Sequence, residues 1–227
     1  MSRSSEEIVR FRAAATLATL TALLVPTTVA HAADPGEDVT LPVRDALATL
    51  TVADESREGY ERTKFKHWVD ADRDGCHTRS EVLLEEAVTP PEQGARCTLT
   101  GGRWYSPYDD RYIEGPRTID IDHYVPLAES WDSGASAWTP AEREAYANDL
   151  DDKRSLIAVT ATSNRSKADQ DPATWMPPAA GYHCAYATTW VTVKTRWKLA
   201  IDPAEATALT STLNECPNTP IEVELAR

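Results

Sequence analysis

An aspartate and a histidine stand side by side in the segment IDIDHYVPLAESW, residues 119–131. The alternation of isoleucine and aspartate predicts a strand, in which neighbouring side chains point to opposite faces. Asp122 and His123 can therefore reach one ligand together only if the strand bends or ends at this point. Pro126, which cannot donate a hydrogen bond to a sheet, favours such an end. The pattern indicates a polar site where the backbone leaves regular strand pairing.

Further polar side chains follow in the predicted order strand, long connection, strand, helix. Asn148 falls in the connection, and Asn164 and Arg165 open the helix that follows the apolar strand RSLIAVTA. Hydrolysis of a phosphodiester requires a base that works near neutral pH, and histidine has an unperturbed pKa of about 6.5. It also benefits from a hard divalent cation, which prefers oxygen ligands such as a carboxylate or an amide. The set predicts a hydrolytic centre, in which Arg165 or Arg154 stabilises negative charge.

Each of these residues also has a structural interpretation when it is considered alone. A histidine before a proline turn is commonly structural, and an aspartate at a strand end is commonly solvated. Asn164 suits the cap of the following helix. Lys167 either meets a phosphate or lies on a solvated helix face. Only the order and spacing of the whole set favour the chemical interpretation.

Two motifs in this region, DHxVPLAE and NRSKxDxDPxxW, resemble those of the secreted actinobacterial branch of the HNH endonucleases, with a GmrSD-type C-terminal nuclease domain and a ββα-metal (His-Me finger) core. The resemblance covers roughly residues 60–216. It implies that His123 is the general base, that Asp122 and Asn164 hold the metal, and that Asn148 orients the loop carrying the base. Many members have a terminal histidine or asparagine where this chain has Asn164, so the chain has the pattern H-N-N instead of H-N-H. The oxygen ligand favours Mg²⁺ or Mn²⁺ over Zn²⁺, with other divalent cations left open.

A second candidate metal site is the acidic segment DADRDGCHTRSE. Asp70, Asp72 and Asp74 fall at positions 1, 3 and 5 of an EF-hand calcium loop, and Glu81 falls at position 12. Position 8 carries a histidine instead of an aliphatic residue, and there is no second loop to pair with this one. The segment is therefore either a Ca²⁺ loop or an Asp-rich turn held by a disulfide. A third alternative is that Arg79 or Glu81 reaches the nuclease site.

The chain has four cysteines: Cys76, Cys97, Cys184 and Cys216. An even count in an exported chain predicts two disulfides, and three connectivities are open. The pairs Cys76–Cys97 and Cys184–Cys216 are favoured because each closes a local loop. A zinc site would need a CxxC-type pair, which is absent from the sequence.

The first 32 residues have the three parts of a secretory signal. Arg3 and Arg10 precede the apolar run AAATLATLTALLV, and a small-residue cleavage site, Ala30–Ala32, follows it. A membrane anchor is the alternative, but Pro26 interrupts the run, which is short for a span. We expect residues 1–32 to be removed, 33–43 to form a flexible lead-in, and 44–227 to form a single domain that is secreted and does not contact a membrane.

The sequence predicts an α+β fold, with the ββα-metal core embedded among helices. Residues 44–70 look helical, SEVLLEEAV predicts a short helix, and GGRWYSPYDD indicates turns with a short hairpin. Two later helices have capping boxes: Thr139 with Glu142, and Asp202 with Glu205.

We therefore expect a secreted, metal-dependent endonuclease of low sequence specificity that acts on DNA, with RNA as an alternative substrate, and is a monomer. The net charge of −13 disfavours tight nucleic-acid binding without a metal or local basic residues. The candidate basic residues near the motif are Arg103, Arg111, Arg117, Arg154, Arg165 and Lys167. The competing hypothesis is a secreted calcium-binding or cell-envelope interaction protein with a non-catalytic HNH scaffold.

Overall fold

The computed structural model describes residues 34–227, so the predicted signal segment lies outside the described residues. Within this range there are seven α-helices: α1 (Val43–Thr49), α2 (Thr78–Glu85), α3 (Leu127–Asp132), α4 (Pro140–Ala147), α5 (Ala161–Lys167), α6 (His183–Arg196) and α7 (Pro203–Asn214). Eight strands accompany them: β1 (Asp38–Pro42), β2 (Glu92–Gln93), β3 (Leu99–Thr100), β4 (Arg103–Ser106), β5 (Arg111–Glu114), β6 (Ile119–His123), β7 (Leu156–Thr160) and β8 (Pro220–Glu224). They pair antiparallel as β1–β8, β2–β3, β4–β5 and β6–β7. The mixed α+β class is confirmed.

The predicted order strand, connection, strand, helix is present as β6, β7 and α5. The two strands pair from Ile119 opposite Thr160 to His123 opposite Leu156. Helix α5 begins directly after β7, because the side chain of Thr160 accepts a hydrogen bond from the backbone N–H of Ser163 and caps the helix. Strand β6 ends at His123, and Pro126 lies at the N-cap of α3.

A small apolar cluster holds the β6–β7 pair against α2 and β4. It includes Leu83 of α2, Trp104 of β4 and Ile121 of β6, all nearly or fully buried. The indole N–H of Trp104 donates to the backbone carbonyl of Leu83 at 2.7 Å, so its buried polar atom is satisfied. This packing fixes the position of the β6–β7 pair relative to α2.

Helix α3, which follows β6 closely, is tied to α6 and α7 by a buried charge network. The ammonium of Lys194 on α6 lies 2.6 Å from Glu129 of α3 and 3.0 Å from Glu205 of α7. All three side chains are buried. Buried charges of this kind are tolerated only when they are paired, so the network constrains the position of α3.

The connection between α4 and β7 is held in a similar way by Asp149, which the sequence analysis did not single out. Its carboxylate accepts two hydrogen bonds from the Arg196 guanidinium, at 2.8 and 2.9 Å. It also accepts from the Trp197 indole at 2.9 Å and the Ser155 hydroxyl at 2.6 Å. These contacts fix the backbone beside Asn148.

The prediction of a helix over residues 44–70 is wrong for most of that range. Helix α1 ends at Thr49, and only a single 3₁₀ turn, Arg62–Lys64, follows. Val52 instead forms a parallel bridge with Ile201, and Gly59 has a φ of +70° that a helix does not allow. In the segment expected to be a lead-in, residues 38–42 form β1 against β8.

Several local predictions are confirmed. Both disulfides, Cys76–Cys97 and Cys184–Cys216, form as expected. The β4–β5 hairpin and both capping boxes are present. Within residues 34–227, none of the helices has the length and apolar character needed to cross a bilayer.

Candidate active site

A cavity of about 330 Å³ lies where β6 ends and α5 begins. Asp122, His123, Asn164 and Arg165 all line it. The structure therefore brings together four of the five residues that the sequence predicted for the hydrolytic centre. The fifth, Asn148, is not among the lining residues, and its neighbour Ala147 contacts His123 through the backbone carbonyl.

His123 is positioned to accept a proton through Nδ1. Its side chain is largely buried, with 6% exposed, and its Nε2 lies 2.9 Å from the backbone oxygen of Ala147. A carbonyl only accepts, so Nε2 must carry the hydrogen, and the lone pair of a neutral ring is then on Nδ1. Burial lowers the pKa of His123 to about 3, opposed in part by the bond to Ala147. The imidazole is thus neutral at physiological pH, and burial makes it a weaker base than the unperturbed histidine on which the sequence prediction was based.

Asn148 holds the backbone that orients His123. Its side chain makes four hydrogen bonds, accepting from the N–H of Val69 at 3.0 Å and the hydroxyl of Thr78 at 2.8 Å, and donating to the carbonyls of Lys66 and Glu144, each at 2.8 Å. The amide is satisfied on both sides, and it joins the end of α4 to the loop at residues 66–69. The neighbouring carbonyl of Ala147 is the one that fixes the His123 ring.

Asp122 is buried in an ion pair that the sequence did not predict. Its Oδ2 accepts from the ammonium of Lys167 at 2.6 Å and from the hydroxyl of Tyr108 at 2.7 Å. Lys167 also donates to the carbonyl of His123 at 2.9 Å. Burial raises the pKa of Asp122 and lowers that of Lys167, and in both cases the partner's charge opposes the shift. Both partners bond to Oδ2. The other oxygen, Oδ1, is therefore left to contact a ligand in the cavity that Asp122 lines.

Both interpretations of Lys167 from the sequence are wrong, since its side chain is 0% exposed. It faces neither solvent nor the surface where a phosphate would bind. The only signal for its role is its spacing: it lies three residues after Asn164, so both positions can face the strands from one side of a short helix.

The helix-cap interpretation of Asn164 is also wrong, because Thr160 caps α5. The amide N–H₂ of Asn164 donates to Asp120 at 3.3 Å, which leaves its oxygen Oδ1 as an acceptor. The oxygen atoms left by Asp122 and Asn164 are hard donors, and they fit a divalent cation such as Mg²⁺ or Mn²⁺.

Arg165 provides positive charge at the cavity. Its side chain is 77% exposed, and its Nε lies 3.6 Å from Asp120. Arg62 and Asp169 also line the cavity. Asp169 is the first aspartate of the motif NRSKxDxDPxxW, although no role was predicted for it, and neither motif includes Arg62. Arg154, the alternative to Arg165, is excluded from this role because it pairs with Asp152 at 2.5 Å and lines a different cavity.

The acidic loop lies apart from this cavity. The carboxylates of Asp70, Asp72 and Asp74 approach within 4.8 Å of one another and are exposed. Burial and these three carboxylates raise the pKa of Glu81, which places the predicted position 12 beside the loop. Arg79 donates to the backbone carbonyls of Pro116 and Ile119, and it does not line the cavity that contains His123. Calcium binding by the loop stays a prediction.

Ala168, which ends α5 and lines the same cavity, has an unfavourable backbone conformation, with φ of 50° and ψ of −126°. This region is costly for residues with a Cβ, by about 1–3 kcal/mol, and glycine enters it freely. We expect Ala168→Gly to stabilise the protein by about 1 kcal/mol, measured by urea denaturation. Ala145→Gly, at an exposed position inside α4, is the control and should cost about 1 kcal/mol. Equal destabilisation by both changes would contradict the strain at Ala168.

Comparison with known proteins places this site within a described family. The family model of "GmrSD restriction endonucleases, C-terminal domain" matches residues 77–212, a range that contains the whole set from Asp122 to Arg165. A protein of Arthroderma benhamiae described as an "Uncharacterized secreted protein" is 40% identical over 202 residues, which cover 88% of this chain and 98% of that protein. No solved structure matches the chain.

Proposed function

Because the chain belongs to the family of C-terminal domains of GmrSD restriction endonucleases, we propose that it is a secreted, metal-dependent endonuclease. Its substrate is DNA, with RNA as the second candidate, and its sequence specificity is low. The observation that carries this proposal is the meeting of His123, Asp122, Asn164 and Arg165 around one cavity. In this proposal β6, β7 and α5 form a ββα-metal core of the His-Me finger type.

His123 acts as the general base in the proposed reaction. A water molecule in the cavity loses its proton to Nδ1 while its oxygen attacks the phosphorus atom. The bond from phosphorus to the leaving oxygen breaks, and the leaving oxygen takes a proton from solvent water. The hydrogen bond from Nε2 to the carbonyl of Ala147 keeps the ring in the required tautomer, and it accepts part of the positive charge that develops on the imidazole. Asn148 positions that carbonyl and takes no direct part in the chemistry.

Asp122 and Asn164 are the residues that would hold the metal ion. When bound, a divalent cation supplies Lewis-acid stabilisation of the negative charge on the phosphoryl and leaving oxygens. Lys167 and Tyr108 hold the carboxylate of Asp122 through Oδ2 and so orient Oδ1. Arg165 and Arg62 add positive charge for the phosphate at the open side of the cavity.

Secretion is supported by the description of the relative and by the two disulfides, which persist in oxidising compartments. We propose that residues 1–32 are a signal peptide and that residues 44–227, together with the strand β1 that pairs with β8, act as a single monomeric domain.

The metal requirement gives the direct test of this function. We expect purified protein to nick supercoiled plasmid in the presence of Mg²⁺ or Mn²⁺, and nicking to stop when EDTA removes the ion, because Asp122 and Asn164 would then have no cation between them. Agarose gels of the plasmid forms measure this, and excess Mg²⁺ added back should restore nicking. Absence of nicking with every divalent ion would contradict the proposal. A saturable calcium titration lost in Asp70→Ala would then favour the calcium-binding alternative.

A further inference from the structure

A second cavity, of about 340 Å³, is positively charged although the chain as a whole is acidic. It lies beside α2 and the disulfide loop that ends at Cys97. Arg79, Arg96, Arg117 and His77 line it, and no aspartate or glutamate is among its lining residues. A site lined only by cationic and neutral groups is suited to an anion.

The three arginines are not neutralised by the protein itself. Within residues 34–227, none of them forms an ion pair with a carboxylate. Arg79 is held by donating to the backbone carbonyls of Ile119 at 2.9 Å and Pro116 at 3.3 Å. Arg96 and Arg117 are exposed. Most of their hydrogen-bonding capacity is therefore available to a ligand, and guanidinium groups match the geometry of phosphate.

His77 adds a donor of defined tautomer. Its Nδ1 accepts a hydrogen bond from the backbone N–H of Ser80 at 3.2 Å, where it caps α2. The hydrogen of the neutral ring is therefore on Nε2, which is free to donate to an anion. The side chain is exposed, so reaching a ligand requires no opening of the fold.

Strand β6 joins this cavity to the candidate active site. Its first residue, Ile119, accepts the hydrogen bond from Arg79, and its last residue is His123. Four residue steps along a strand span about 13 Å. This length corresponds to the rise of about four nucleotides of one strand, measured along the axis of a duplex. A nucleic acid with one phosphate at His123 can thus place another at the basic cavity.

We propose that this cavity binds a non-scissile phosphate of the nucleic-acid substrate and sets its position relative to His123. The inference rests on the proposed function. It also explains how a chain with a net charge of −13 can hold a polyanion, because the charge that matters is local. Of the basic residues expected from the sequence, Arg117 has this role, whereas Arg103 pairs with Glu114.

The test measures binding without cleavage. A fluorescently labelled 20-base-pair duplex is titrated with the His123→Ala protein in EDTA, and anisotropy reports the complex. Adding Arg96→Gln and Arg117→Gln should weaken binding about tenfold and reduce the salt dependence by about one phosphate contact. The matched control adds Arg73→Gln and Lys153→Gln, which remove the same charge from exposed positions outside both cavities, and it should weaken binding less than threefold.

Equal weakening by the two pairs would show that only net charge matters and would overturn the inference, as would unchanged binding in the Arg96/Arg117 pair. Inorganic phosphate separates a nucleic-acid site from a site for free phosphate. If phosphate raises the Tm of the parent protein but does not compete with the duplex, the cavity is a free-phosphate site and the inference fails.

Cleavage assays distinguish this failure from failure of the proposed function. With His123 intact, the Arg96/Arg117 pair should raise KM for plasmid nicking and leave kcat unchanged. If the Arg96/Arg117 variant nicks plasmid with an unchanged KM, the proposed nuclease function stands and the proposed phosphate site is rejected. If duplex binding depends on Arg96 and Arg117 but the protein nicks plasmid under no condition, the phosphate site stands and the proposed nuclease function is rejected.

Discussion

The His123→Ala protein is expected to nick plasmid more slowly by a factor on the order of 10² to 10⁴, the usual contribution of a general base. The reason is that His123 is the only histidine among the described residues that line the cavity, and the bond from Nε2 to Ala147 leaves its Nδ1 as the acceptor. The initial rate of conversion of supercoiled to nicked plasmid, at saturating Mg²⁺, measures the effect.

A second variant separates loss of the base from loss of packing. His123→Gln keeps most of the volume and can still donate an amide N–H to the carbonyl of Ala147, but it cannot accept a proton near neutral pH. It should be as inactive as His123→Ala while unfolding at a urea concentration closer to that of the parent. Activity in His123→Gln near the parent level would show that the ring only packs.

His183 offers a matched control because it has the same kind of contact elsewhere. Its Nε2 lies 2.8 Å from the carbonyl of Pro177, and it does not line the candidate active site. His183→Ala should therefore retain nicking activity. Comparable losses in His123→Ala and His183→Ala would assign both effects to folding.

The parts of this site that could be predicted from the sequence are those fixed by short-range physics. The alternation in IDIDH and the proline three residues later locate β6 and its end, because both signals act over a few neighbouring residues. The capping boxes of α4 and α7 and the two disulfides likewise depend on nearby residues. The resemblance then selected Asp122, His123 and Asn164 from among many polar residues.

The parts that could not be predicted depend on contacts between distant segments. Arg62 reaches the cavity from a stretch expected to be helical, and its type and spacing carry no motif. That helix stops because Val52 bridges to Ile201, about 150 positions away, and such a contact overrides local propensity. Arg96, which lines the proposed phosphate site, was not among the basic residues expected from the sequence, and the lack of carboxylates around that cavity is visible only in three dimensions.

Lys167 is the clearest example of the same limit. A lysine in a polar run on a seven-residue helix is expected to be solvated, because lysine is rarely buried unless it is paired. Its partner, Asp122, is 45 residues away. Both charged residues can be identified in the sequence, but their contact cannot, because it depends on how α5 packs against β6.

Replacing Lys167 by methionine is expected to lower the free energy of unfolding by about 3–5 kcal/mol, because the Asp122 carboxylate would stay buried without its cation. That loss is a large fraction of the 5–15 kcal/mol by which a domain of this kind is stable. Urea denaturation followed by far-UV circular dichroism measures it. Lys153→Met is the control, since the Lys153 side chain is 78% exposed, 3.6 Å from Glu85, and a surface pair contributes at most about 1 kcal/mol.

The double variant Asp122→Asn, Lys167→Met then separates stability from chemistry. Removing both charges should recover most of the lost stability, because no uncompensated ion remains in the interior. Nicking should nevertheless stay absent, since the amide at position 122 is a weaker ligand for a hard cation than the carboxylate. Recovery of both stability and nicking would remove Asp122 from the proposed metal site. If Lys167→Met lowers the free energy of unfolding no more than Lys153→Met does, the buried ion pair does not stabilise the site.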